Sequence, residues 1–175
     1  MLRILKNKRI IICGPSGVGK TTLFTSLIEK RFIEDTDVTF GMEFYIKQMS
    51  ISGNEIMFSV WDLSGRHQAL ESIITTSDIV NQGVDKIIIC FDLSDLSTLG
   101  EVPQWAELFP SDIPKILVGT KKDKTGSIED LVIPYLKTFN FKNYFEVSIK
   151  EEIQSVLELF KELSKNDKTE SVLSS

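Results

Sequence analysis

The sequence predicts an α/β fold: a six-stranded, mostly parallel sheet with one antiparallel edge strand and about five flanking helices. Three observations carry this expectation. Six short runs rich in β-branched residues alternate with helical patterns along the chain. Only one link between consecutive runs is short enough for a hairpin, and the others have room for the crossover helix that parallel neighbours need. A chain of 175 residues, 42% hydrophobic and 26% charged, also has the make-up of one globular domain with a sizeable core.

The first strand is "RIIICG" at 9–14, and a glycine-rich turn leads from it into a helix at about 20–29. The runs "EFYIKQMSI" (43–51) and "EIMFSVWDL" (55–63) are separated only by "SGN", a hairpin signal built on Gly53 and Asn54, so they supply the antiparallel edge. A helix at about 68–81 then precedes "KIIICFDL" (86–93), and another at about 99–108 precedes "KILVGT" (115–120). A helix at 128–139 leads to "YFEVS" (144–148), and the last helix, 151–164, sets Ile153, Val156, Leu157 and Phe160 on one face. The domain spans residues 1–165. The remaining "NDKTESVLSS", 166–175, is polar and unperiodic and reads as a flexible tail.

A formal charge of -5 and a pI near 5.0 argue against nucleic acid as the ligand, since phosphate backbones recruit basic surfaces. Any phosphate must be held locally. Cys13 and Cys90 each end an apolar run, which predicts buried free thiols rather than a disulfide or a metal pair. No apolar run approaches the roughly 18 residues of a membrane span. The start "MLRILKNK" lacks the apolar length of a signal peptide, Leu2 excludes myristoylation, and "KTESVLSS" offers no cysteine for prenylation. The expectation is a cytoplasmic chain with no direct membrane anchor.

The strongest chemical signal is "GPSGVGKT" at 14–21, which matches GxxxxGK[ST] between a predicted strand and a predicted helix. Its glycines let the loop curl so that successive backbone N–H groups face nucleotide phosphates. Lys20 then reaches the β- and γ-phosphates, and the Thr21 hydroxyl suits Mg²⁺. A similar opening occurs in nucleoside monophosphate kinases such as guanylate kinase, which is the runner-up reading. Transfer between two nucleotides needs several cations on a closing lid, usually arginines. The four arginines here are Arg3, Arg9, Arg31 and Arg66, with none beyond residue 66 where a lid would lie, which weighs against a kinase.

Two stretches address the base. In "VGTKKD" (118–123), at a strand end, Asp123 is placed to accept from the guanine N1–H and exocyclic amine while the Lys121 stem packs along the ring. A Lys-Asp pair alone is common on surfaces; the strand end gives this one its meaning. The turn of Ser148, Ile149 and Lys150 in "EVSIK" could present a backbone N–H to the guanine O6.

With these residues in place, the chain resembles a Ras-superfamily small GTPase over residues 8–165, which implies a P-loop NTPase fold. Five motifs fall in the family's order: "GPSGVGKT", the switch I threonine at Thr39 in "DVTFGMEF", "WDLSG" for DxxG, "TKKD" for [NT]KxD, and "SIK" for SAK. The run "ISGNEIMFSVWDLSG", with "DLSDLSTL" and "ILVGTKKD", is most similar to the unprenylated septation and mitotic-exit GTPases, with Rab proteins next. The resemblance implies nucleotide contacts from Gly14, Ser16, Gly17, Val18, Gly19, Lys20, Thr21 and Thr22, and from Thr120, Lys121, Asp123, Ser148, Ile149 and Lys150. It gives Phe32 the guanine edge, although a core aromatic is the bland alternative. Thr39 becomes a Mg²⁺ ligand present only with GTP, although it could simply start a strand. Thr21 and Thr39 would bind Mg²⁺ directly and Asp62 through water, and the Gly65 N–H would meet the γ-phosphate. Lys20, Thr39, Gly65 and Arg66 form the implied catalytic set.

Arg66 is a departure, because the family usually carries glutamine directly after the DxxG glycine to orient the attacking water. The lone histidine, His67, follows it. Catalysis of this kind is mostly positioning and charge stabilisation, so His67 reads as an exposed switch-loop residue rather than a general base. Thr36 replaces an aromatic that often closes switch I, and the segment 65–92 is about one helical turn longer than expected. The resemblance implies a monomeric guanine-nucleotide switch. It would bind GTP or GDP with Mg²⁺ and hydrolyse GTP weakly without an activating protein. It would meet effectors, exchange factors and activating proteins through 33–41 and 63–82. A GTP-loaded scaffold that barely hydrolyses is the alternative.

Overall fold

The structure, a computed structural model, describes residues 6–29, 41–65 and 83–166. Six strands form one sheet: β1 (Lys6–Cys13), β2 (Met42–Ile51), β3 (Asn54–Leu63), β4 (Lys86–Asp92), β5 (Lys115–Thr120) and β6 (Phe141–Glu146). Their order is β2-β3-β1-β4-β5-β6, with β2 and β3 antiparallel and every other neighbouring pair parallel, as the sequence predicts. Strands β4 and β5 are buried along their whole length, which is what near-continuous apolar runs require in a sheet covered on both faces. The hairpin turn sits on Ser52 and Gly53, one residue earlier than read, because Asn54 already pairs with Ile51. Ser52 at φ 50° and Gly53 at φ 78° give the two left-handed residues whose twist matches the flanking strands.

Among the described residues the helices are α1 (Lys20–Glu29), α2 (Leu96–Gly100), α3 (Val102–Glu107), α4 (Glu129–Thr138) and α5 (Ile153–Ser164). The predicted helix at 68–81 and the tail beyond residue 166 lie outside them. The single helix expected at 99–108 is two short ones, for two local reasons. Asp95 caps the first through the Ser97 N–H at 3.1 Å, so helix begins earlier. Pro103 has no N–H to continue the ladder, so helix restarts there. Strand β6 also starts earlier than predicted, because Phe141 pairs with Lys115 and tucks into the core.

Side chains alternate faces along β1, and this builds two cores. Ile10 and Ile12 join Phe24 of α1 and Val156, Leu159 and Phe160 of α5 on one side. Ile11 and Cys13 join Leu99, Trp105 and Val132 on the other. Cys13 and Cys90 therefore lie in opposite layers, both buried and free. Burial raises the Cys13 thiol well above its usual range and pushes Cys90 up to about 12, so both stay protonated. At the sheet's far end, Lys8 and Lys86 turn inward. Lys86 Nζ donates to the Glu162 carbonyl at 2.9 Å and Lys8 Nζ to the Lys165 carbonyl at 2.8 Å, which caps α5 with two ammonium groups.

Candidate functional site

The loop between β1 and α1 leaves the sheet at its carboxyl edge, where the chain order reverses between β3 on one side of β1 and β4 on the other. Open α/β sheets bind ligands at such a point. Gly14 sits at φ 134° against the neighbouring strand, and a Cβ there would lie 2.2 Å from the Cys90 carbonyl oxygen. Gly17 and Gly19 also have positive φ, 76° and 92°, so the loop follows a path that side chains with a Cβ resist. Lys20 opens α1 with only 6% of its surface exposed, and its Nζ donates to the carbonyls of Gly14 at 2.9 Å and Pro15 at 2.8 Å. Burial lowers its pKa, and the nearby Asp62 carboxylate partly opposes that shift. The ammonium is thus held inside the curl of the loop. Ser16 stands exposed at its tip, Val18 is buried and Thr22 half-buried.

Asp62, fully buried near the end of β3, accepts a hydrogen bond from the Thr21 hydroxyl at 2.5 Å. A hydroxyl and a carboxylate side by side are hard oxygen donors. Mg²⁺ is usually held by one or two such groups plus phosphate and water rather than by a protein cage. That donor set fits the expected metal. Among the described residues no group of three or more His, Cys, Asp or Glu offers another site. Gly65 lies directly against the phosphate loop: a Cβ there would meet the Ser16 nitrogen at 2.3 Å.

On the other side of the loop, Thr120 ends β5, and its hydroxyl lies 2.5 Å from the Val18 carbonyl and 3.0 Å from that of Phe91. Lys121 follows in the left-handed region at φ 59°, and its Nζ donates to the Gly17 carbonyl at 2.9 Å. The same ammonium pairs with Asp92, at the end of β4, at 2.6 Å. Asp123 Oδ1 accepts from the buried Ser148 hydroxyl at 2.8 Å, so the two base motifs are joined. Ile149 is buried and Lys150 exposed in the turn that follows. Asp123 and Ser148, with Lys122, Glu151 and Glu152, line an open concavity of about 330 Å³.

The structure thus brings the phosphate loop, Asp62, Gly65, Thr120, Lys121, Asp123 and Ser148 to one edge of the sheet. Phe32, Thr39, Arg66, His67 and Thr36 lie outside the described residues, as does most of 33–41 and 63–82. Sequence reading missed Asp92, Glu151 and Glu152. The signal for Asp92 was present in "DLSDLST", an aspartate followed by serines at the end of a predicted strand, but the sequence does not reveal a partner 29 residues away.

The model for the Ras family matches residues 9–168. The GTP-binding protein yptV5 of Volvox carteri is 28% identical over 165 residues, covering 86% of this chain and 76% of its own. The septum-promoting GTP-binding protein 1 of Schizosaccharomyces pombe is 35% identical over 118 residues, covering 66% of this chain and 58% of its own. The Ras-related protein RabF1 of Dictyostelium discoideum is 29% identical over 147 residues, covering 82% and 73%.

Proposed function

The chain belongs to the Ras family, and from that premise we propose that it is a guanine-nucleotide switch. It binds GTP and GDP with Mg²⁺ and hydrolyses GTP slowly. The observation that carries this reading is the pair of hydrogen bonds from Thr120 and Lys121 to the Val18 and Gly17 carbonyls. They tie the base-reading strand end to the phosphate loop, so one ligand with a base at one end and phosphates at the other spans both.

In this reading the loop amides and Lys20 hold the phosphates, and burial of Lys20 strengthens its attraction for them by keeping water away. Thr21 would hold Mg²⁺ directly and Asp62 through water, and the ion would supply positive charge beside the phosphate oxygens. Asp123 selects guanine, and the loop around Ser148 holds Asp123 in place. Thr39 and Gly65 would report the γ-phosphate, Phe32 would flank the base, and Arg66 stands where a water-orienting glutamine is usual. The domain is residues 1–165, with 166–175 as its tail, acting as a cytoplasmic monomer. Effectors, exchange factors and activating proteins engage 33–41 and 63–82. No helix among the described residues is long and apolar enough to cross a membrane.

The test is to release the nucleotide that copurifies and identify it by ion-pair chromatography. Guanine nucleotide is expected, and adenine nucleotide at stoichiometric occupancy overturns the reading. Arg66 favours one second reading, a GTP-loaded scaffold, because arginine has no acceptor with which to orient water. Single-turnover release of γ-phosphate separates the two.

A further inference from the structure

We propose that Asp92, which belongs to none of the nucleotide motifs, is a positioning residue for the guanine site: its carboxylate holds the Lys121 ammonium against the phosphate loop. The inference rests on the guanine-nucleotide reading above and deepens it. The two oxygens of Asp92 have separate partners. Oδ1 accepts from the Ser94 N–H at 2.9 Å and the Ser94 hydroxyl at 2.6 Å, which fixes the carboxylate at the end of β4. Oδ2 takes Lys121 Nζ at 2.6 Å. The carboxylate is therefore oriented before the lysine arrives, and the backbone adds to this, since the Asp92 N–H donates to the Thr98 hydroxyl at 2.9 Å.

Lys121 needs such a partner. Its side chain is 31% exposed, its stem has many rotamers, and a hydrated ammonium competes with the single bond to the Gly17 carbonyl. Its backbone is left-handed, a conformation a residue with a Cβ resists, so the local chain does not fix the side chain by itself. Asp92, with a side chain only 10% exposed, offers a charge-assisted bond at the low-dielectric end of that stem. Burial alone would raise the Asp92 carboxyl, but the bonds from Lys121 and Ser94 outweigh it and hold it below the usual carboxylate range. With the ammonium pinned at both Gly17 and Asp92, the methylene stem is stretched along the wall between the phosphate loop and the base motif, where a guanine ring would stack.

The experiment is a double-mutant cycle on GDP dissociation, followed with fluorescent GDP chased by unlabelled GDP at saturating Mg²⁺. Asp92→Asn keeps the size and the Ser94 contacts, and it should release GDP about tenfold faster. In a Lys121→Met background the same substitution should change the rate less than twofold, because the group it positions is gone. Equal acceleration in both backgrounds overturns the proposal and makes Asp92 a structural residue of the turn. An unchanged rate in the single variant overturns it as well. Should Asp92→Asn fail to fold, the carboxyl carbon of Asp92 is titrated by NMR in the GDP complexes of the parent and Lys121→Met. Removing the lysine must raise the pKa, and an unmoved titration sinks the proposal. A parent protein that binds no GDP would instead refute the guanine reading itself, so the two failures are distinct.

Discussion

The Asp123 carboxylate takes the Ser148 hydroxyl through Oδ1, which leaves lone pairs on both oxygens for the two donors that guanine presents and adenine lacks. Asp123→Asn exchanges an acceptor for a donor, so GDP should bind at least about tenfold more weakly and xanthosine diphosphate more tightly than to the parent. Competition binding against both nucleotides checks this, and unchanged GDP affinity refutes the base assignment. The glycines make a second prediction by contrast. A methyl group at Gly14 would collide with the Cys90 backbone oxygen, whereas one at Gly17 meets nothing within 4 Å and bears only the penalty of its positive φ. Gly14→Ala should therefore lower stability by about 3 kcal/mol or more, and Gly17→Ala by roughly 1 to 2 kcal/mol, in urea unfolding. At this scale the sequence was legible wherever chemistry demands consecutive residues: "GPSGVGKT" shows its lysine, threonine and turn glycines without a structure. It was opaque where a partner comes from elsewhere in the chain. Nothing near Gly65 reveals that it abuts Ser16, or near Lys121 that it meets Asp92.

At the scale of elements, strand existence was readable because β-branched runs and the length of the links between them determine pairing, while boundaries were set by contacts outside the run. Strand β6 begins at Phe141 because that ring is covered by the α4 side of the molecule, a tertiary effect that the "YFEVS" pattern does not hold. The hairpin is the opposite case, a local signal displaced by one residue through ladder register. Its turn gives a third prediction: Gly53→Val puts a β-branched residue at φ 78° and should lower stability by roughly 1 to 2 kcal/mol, with no loss of GDP affinity. Ser52→Asn, which eases the other left-handed position, should gain a few tenths of a kcal/mol. Thermal melts of both variants, with GDP affinity measured alongside, decide it, and a Gly53→Val protein as stable as the parent would contradict the turn geometry.

Across the whole molecule, the residues assigned to one nucleotide come from separate parts of the chain. Lys20 and Thr21 open α1, Asp62 lies next to the last residue of β3, Thr120 ends β5, and Ser148 follows β6. Between them lies the same sheet whose far end is locked to α5 by Lys8 and Lys86. A ligand held by so many elements binds only the folded chain, so its free energy of binding adds to stability by mass action. At a free GDP concentration a thousand times the dissociation constant the gain is about 4 kcal/mol. For a domain of this size each kcal/mol moves the midpoint by roughly 2 to 4 °C. Nucleotide-stripped protein should therefore melt roughly 8 to 16 °C higher with GDP and Mg²⁺ than without. Two controls give the shift its meaning. ADP at the same concentration offers no donor pair to Asp123 and should leave the midpoint within about 2 °C of the stripped protein. EDTA removes the cation proposed for Thr21 and Asp62, and on that proposal it should take away part of the GDP shift without reversing it, because the contacts proposed for the loop and Asp123 do not depend on the metal. Equal shifts with GDP and ADP would show a phosphate site with no reading of the base. An EDTA-insensitive shift would show that the Thr21–Asp62 pair serves the fold and not a metal.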